Sequence, residues 1–300
     1  MIIVSGSSNP VLGQQICEQL SAELADVHIS KFPNGEKRIW IKSDMKGQVV
    51  VVVQSFSEPV DEHIIEFSLL ADACKQRGAA KVVGIVPWIG YSAQDKSFRE
   101  GEPISMNVIA KIIECVGVTT LVTADIHSQK SFEFFSIPTT ELTCLPLFTH
   151  HLKGYDLQDF IVISIDEGSR KRSQEFAQAL GLSLCIFDKT RDRHTGQVTF
   201  KHVSGEVKGK TGVSFDDFVS TGSTQIGACE QLKTMGLQKY IACITHAVFA
   251  GTTTAHRLQD SSIDEILTTN TYAIPPARMF PKLKVLDSGK VFSNYLKTIG

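Results

Sequence analysis

The stretch from Gly212 to Thr224 gathers residue types that could hold a phosphorylated sugar. An apolar run leads into Asp216 and Asp217, a loop of Ser220, Thr221, Gly222, Ser223 and Thr224 follows, and Gln225 to Met235 then has helical composition. A helix N-terminus offers unpaired N–H groups and the positive end of the peptide dipole, both of which favour a phosphate. Small loop residues let backbone come close, and their hydroxyls add donors. Ionised Asp216 and Asp217 only accept hydrogen bonds, which suits sugar hydroxyls or a metal ion. The loop is not an ATP-type P-loop, because Ser223 rather than Lys precedes its last Thr224. An ordinary strand-loop-helix turn with its acids in solvent has the same composition, so other polar clusters must decide.

Phe32 to Glu36 is a turn with a charged end. Pro87 to Pro103 is long, charged and punctuated by Gly and Pro, the composition of a mobile lid or of a solvated connection. His127 closes one apolar run and Asp166 closes another. Brought together across the chain they could hold Mg²⁺, which takes few protein ligands and completes its octahedron with water and phosphate oxygens; a structural or merely exposed histidine is the alternative. Lys189 and Arg191, spaced i, i+2, share a side of an extended segment and could face a polyphosphate, or form solvated pairs with Asp188 and Asp192.

The elements that must position these residues alternate along the chain. Apolar, β-branched runs at 1–4, 49–54, 81–87, 119–124, 160–165, 183–187 and 240–249 have strand length, with helical periods between them. One helix is expected from a Ser105 N-cap to a stop at Gly117. The pattern predicts an α/β fold with largely parallel sheets, in which ligands sit beyond the carboxyl ends of strands. The clusters above fall there. Two such series, in 300 residues, predict domains at 1–143 and 144–283, with a tail 284–300 packing back on the first.

Bulk properties narrow the function classes. A net charge of -2 without a basic tract argues against nucleic acid. No apolar run approaches the roughly 18 residues of a membrane span, so no membrane partner is expected. Met1 to Gly6 reads as a first strand rather than a signal peptide. Seven scattered cysteines without a Cys-x-x-Cys argue against disulfides and zinc and predict a reducing cytoplasm.

Together, Phe32-Pro33-Asn34-Gly35-Glu36, Gly90-Tyr91 with Gln94-Asp95 and Glu102-Pro103-Ile104-Ser105, Asp125-Ile126-His127, Ser164 with Asp166, Lys189 with Arg191, Asp216-Asp217 with Ser220 to Thr224, and Thr245-His246 carry a resemblance. Over nearly its whole length the chain resembles the ribose-phosphate pyrophosphokinase family. The resemblance implies two tandem phosphoribosyltransferase-type α/β domains, an ATP side in 1–143 and a ribose 5-phosphate side in 144–283. It implies transfer of the β,γ-diphosphoryl group of Mg-ATP to the C1 hydroxyl of ribose 5-phosphate, giving phosphoribosyl pyrophosphate and AMP.

By the same carry-over, Phe32, Asn34, Gly35 and Glu36 hold adenine, commonly from a neighbouring subunit of a homodimer or larger homo-oligomer. Gln94, Asp95, Lys96 and Arg99 belong to the ATP side, His127 and Asp166 to Mg²⁺, and Lys189 and Arg191 to the catalytic pair. Asp216 and Asp217 take the ribose hydroxyls, Ser220, Thr221, Gly222, Ser223 and Thr224 the 5-phosphate, with Arg191 beside them. Three positions depart from the family pattern: Ala93 stands where Arg is usual, Ser220 where many members have Asp, a feature of the archaeal-type branch, and Ser223 where a second Gly is usual. A catalytically weak regulatory paralogue and a phosphoribosyltransferase are the competing readings.

Overall fold

Five consecutive valines, Val49–Val53, make one interior strand of a parallel sheet and all but the first are buried. Such a run suits a strand covered on both faces. The computed structural model of the protein describes residues 1–191 and 198–299, and the side chains of these except at 188–191 and 198–203. Contacts divide the chain into one unit of residues 1–143, 270–273 and 287–300 and a second of 144–269 and 274–286.

In the first unit the chain runs through β1 (Ile2–Ser5), α1 (Pro10–Leu20), β2 (Glu23–Leu24), β3 (Val27–Lys31), β4 (Lys37–Ile41), β5 (Val49–Val53), α2 (Val60–Gln76), β6 (Lys81–Ile85), α3 (Ser105–Cys115), β7 (Thr120–Ala124) and β8 (Thr139–Leu142). Among the described residues its main sheet is parallel throughout, in the order β2-β1-β5-β6-β7-β8. The turn at Phe32 to Glu36 is the tip of an antiparallel hairpin, β3 on β4, that forms a sheet of its own. Ser105 is not the N-cap that its type suggested. It is the first residue of α3, Ile104 holds the cap position, and the Ser105 hydroxyl instead donates to Gln94 Oε1 at 2.7 Å. Gly117 lies just past the helix with φ 90°, a left-handed stop that a side chain would strain.

The second unit follows as α4 (Leu145–Leu152), β9 (Phe160–Ser164), α5 (Arg170–Leu180), β10 (Leu184–Arg191), β11 (Val198–Ser204), β12 (Thr211–Val219), α6 (Ser223–Thr234), β13 (Lys239–Ala247), α7 (Thr254–Asp260), β14 (Glu265–Thr269) and β15 (Leu283–Leu286). Its sheet runs β11-β10-β9-β12-β13-β14-β15, parallel except where β11 turns back along β10. Tyr240, Phe187, Ile163 and Ile266 are among its buried side chains. Residues 284–286 belong to β15, so the tail returning to the first unit begins at Asp287; it carries α8 (Gly289–Leu296), which packs on α1.

Candidate functional site

β12 carries both acids of the sugar-type loop and runs two residues past them, to Val219. The backbone then turns through Gly222, φ 76°, into α6, whose first residue is Ser223. A side chain at Gly222 would be strained by that φ and would put Cβ 2.8 Å from Leu258 Cδ2, so glycine is required on both counts. Ser223 is helical and carries its extra Cβ without strain. Its hydroxyl lies 3.2 Å from that of Thr221. Arg257 of α7 reaches over the same loop, donating to the Thr221 carbonyl (3.3 Å) and to Ser223 Oγ (3.2 Å). A helix N-terminus, two hydroxyls and an exposed guanidinium thus converge on one turn, an arrangement suited to an anion.

The acids are held from beneath. Asp217 is buried and Asp216 nearly so; Arg172 of α5 lies 3.1 Å from Asp217 Oδ1 and 3.6 Å from Asp216 Oδ1. The backbone N–H of Asp217 donates to Asp216 Oδ1, and Gln225 Nε2 approaches Asp216 Oδ2 at 3.3 Å. Gln225 Oε1 in turn accepts from the buried Tyr240 hydroxyl at 2.8 Å. Burial pushes that phenol's pKa far up, so it remains a neutral donor. Burial, followed by the neighbouring Asp217, raises the Asp216 carboxyl well above the usual range, with Arg172 pulling the other way.

Asp166 sits in the turn between β9 and α5. Its Oδ1 accepts the Ser169 N–H at 2.8 Å, and its Oδ2 accepts no hydrogen bond among the described residues. One half-buried carboxylate oxygen left open fits Mg²⁺, which is commonly bound through one or two carboxylates with water and phosphate. Among the described residues no group of three or more His, Cys, Asp or Glu is placed to hold a metal unaided. His127 is exposed just beyond β7, after Asp125, whose φ is 35°. Lys189 and Arg191 lie on β10, but their side chains fall outside the described residues.

In the first unit the hairpin tip is exposed. Phe32 and Glu36 close it, with Phe32 N–H on the Glu36 carbonyl at 2.8 Å, Gly35 in the left-handed region (φ 91°) and Asn34 Oδ1 accepting the Glu36 N–H. The Arg38 guanidinium lies 5.6 Å from the Phe32 ring centre. Gln94 is tied to α3 by Ser105 and by its own carbonyl, which accepts the Met106 N–H. Asp95 is half-buried, whereas Lys96 and Arg99 are exposed on the loop that Glu102 gathers by accepting the Phe98 and Arg99 N–H groups.

Arg172, Gln225, Tyr240 and Arg257 were not singled out from sequence. For Arg172 a signal existed: Arg170, Lys171 and Arg172 put three cations in the first turn of α5, against the helix dipole, which calls for nearby carboxylates. For Arg257 there was none, since its partners lie more than thirty residues away.

Two family models match the chain, the N-terminal domain of ribose phosphate pyrophosphokinase over residues 1–117 and the phosphoribosyl transferase domain over residues 135–276. Fold and loop therefore define a protein of two phosphoribosyltransferase-type α/β domains. Ribose-phosphate pyrophosphokinases of Fusobacterium nucleatum and Bacillus subtilis are 33% and 31% identical, covering 99% and 97% of this chain and 94% and 91% of theirs. The crystal structure of phosphoribosylpyrophosphate synthetase from Mycobacterium smegmatis matches with a TM-score of 0.91 at 28% identity, over 99% of this chain and 98% of that one. The chain belongs to the ribose-phosphate pyrophosphokinase family and is an enzyme of that type.

Proposed function

We propose that the C1 hydroxyl of ribose 5-phosphate attacks the β-phosphorus of ATP, that the bond from the β-phosphorus to the α-phosphate oxygen breaks, and that phosphoribosyl pyrophosphate, AMP and the hydroxyl proton leave. The observation that carries this reading is the acceptor loop: paired carboxylates on β12 for the ribose hydroxyls and, at the start of α6, the turn Ser220 to Thr224 for the 5-phosphate. Phosphate at one end and a diol at the other fix the sugar's orientation, and transfer of this kind depends on positioning and charge stabilisation more than on covalent chemistry. Lys189 and Arg191 stabilise the charge that builds on the transferred group, with Arg191 also beside the sugar. Phe32, Asn34, Gly35 and Glu36 hold adenine, and Gln94, Asp95, Lys96 and Arg99 serve the ATP phosphates, with Lys96 or Arg99 supplying the charge that Ala93 lacks. His127 and Asp166 hold Mg²⁺, which neutralises phosphate charge when bound. Ser220, in place of a further acid, follows the archaeal-type loop and removes a negative charge near the 5-phosphate.

The enzyme works in the cytoplasm as a homodimer or larger homo-oligomer, with the hairpin tip serving a neighbouring subunit's nucleotide. Among the described residues no helix is long and apolar enough to cross a membrane. Incubation with ATP, Mg²⁺ and ribose 5-phosphate should yield AMP in proportion to the sugar; no sugar-dependent AMP over a broad concentration range would reject the reaction.

A further inference from the structure

Glu66 of α2 is completely buried, yet every direction around its carboxylate is filled by a donor. Ser7 gives its N–H at 2.6 Å and its hydroxyl at 2.7 Å, Gln54 Nε2 donates at 3.0 Å, and Lys37 Nζ at 2.6 Å. Ser7 follows β1 and Gln54 follows β5, so the carboxylate is rooted at the carboxyl ends of two adjacent strands. Lys37 is the first residue of β4 and directly follows Glu36 of the hairpin tip.

The alternation of the hairpin explains why a lysine points inward. Val27, Ile29, Ile39 and Ile41 pack on the first unit's core, and the next cross-strand pair on that face is Lys31 opposite Lys37, the last before the tip. On α2, Glu62 and Glu66 stand one turn apart and meet them: Lys31 Nζ lies 2.7 Å from Glu62, and Lys37 Nζ 3.7 Å from Glu62 and 2.6 Å from Glu66. An apolar pair here would also pack, but without direction. A charge-assisted hydrogen bond to a fully anchored carboxylate has one geometry, and a hairpin with only two strands has little rigidity of its own.

We infer that Glu66 and Lys37 are positioning residues for the nucleotide, a largely buried ion pair that sets the angle at which the hairpin presents Phe32, Asn34 and Glu36. The inference rests on the reading that this tip holds adenine, whichever subunit's nucleotide it serves.

Steady-state kinetics on the full-length enzyme, with Phe32→Ala alongside, separates the two. Lys37→Met should raise KM for ATP about tenfold or more, with kcat and KM for ribose 5-phosphate within about twofold, because uniform ground-state binding is what is lost. Lys37→Arg, which keeps the charge, should recover most of the affinity, and the rise in KM for ATP at unchanged kcat is what a merely structural role, which would lower the active fraction and with it kcat, would not give. Glu66→Gln should follow Lys37→Met; should that variant not fold, the two Lys37 variants still decide. If Phe32→Ala raises KM for ATP and Lys37→Met does not, or if Lys37→Met raises both KM values alike, the positioning role is overturned and the adenine tip stands. If Phe32→Ala leaves KM for ATP unchanged, the adenine reading falls and the positioning role falls with it.

Discussion

At Asp216 two neighbouring acids and one arginine share a nearly dry corner, and the balance among them sets how Asp216 titrates. Burial and Asp217 raise the Asp216 pKa, so this carboxyl's contribution to stability is fully present below the unfolded value of about 3.9 and is lost as pH rises through the higher folded value. Binding runs the other way. If the Asp216 carboxylate accepts ribose hydroxyls, KM for ribose 5-phosphate should climb as pH falls through that raised pKa. Asp217→Asn removes the adjacent charge and should move this limb to lower pH; a limb that stays where it was in a KM-against-pH profile would show that Asp217 is not its cause. At Ala93, which is half-buried ahead of Gln94, compensation by Lys96 or Arg99 predicts that Ala93→Arg leaves KM for ATP and kcat within about twofold, whereas an increase in kcat/KM of about tenfold or more, worth about 1.4 kcal/mol, would mean the arginine is missed.

Between elements, β12, β13 and α6 are joined by a polar chain running from Tyr240 through Gln225 to Asp216. The Tyr240 hydroxyl also lies 2.9 Å from Ser214 Oγ, so the phenol serves two buried partners. Tyr240→Phe keeps the ring's packing and removes the phenol from both groups, leaving Ser214 Oγ donating to Gln225 Oε1 at 3.2 Å, so it should cost only about 0.5–1.5 kcal/mol in urea unfolding. It should also raise KM for ribose 5-phosphate, since Gln225 loses the shorter of the two bonds that fix its amide beside Asp216. A loss of stability with unaltered KM would confine the chain to packing. The hairpin shows the same principle on the other unit, where the strand period of two meets the helix period of 3.6 at Glu62 and Glu66.

On the scale of the whole molecule, the first unit is completed by residues far along the chain. Asn9 caps α1, accepting the Leu12 N–H, and its amide meets the Asn270 carbonyl, while Ser55 Oγ donates to the Thr271 carbonyl at 2.7 Å. Phe292 and Leu296 of α8 are fully buried. Ending the chain at Leu286 would remove both and strip their cover from α1, and burying a side chain of this size is worth about 1.5–3 kcal/mol. Such a truncation should lower the thermal midpoint of the first unit by several degrees or leave it partly unfolded, measurable by calorimetry; an unchanged midpoint would mean α8 contributes little. β15, which precedes the cut, keeps its pairing with β14 in the second sheet.

What the sequence by itself determined were the features written locally. Valine-rich runs separated by helical periods carry the parallel α/β architecture, because burial on both faces demands continuous apolar residues. The acid pair, small-residue turn and helix of 216–235 are contiguous, so their order could be read directly, and the linked motifs carried the family. The short β2, the hairpin strands β3 and β4, and the strands β8, β14 and β15 were not among the expected runs; several of these carry charged or exposed residues and earn their strand character from pairing rather than from composition. Only tertiary structure decided which groups surround the loop. Arg172 comes from α5, Tyr240 from β13 and Arg257 from α7, and Lys37 finds Glu66 across twenty-nine residues. None of those partners is specified by spacing along the chain, because each depends on the strand order and helix placement of its own unit, which bring the two side chains within bonding distance.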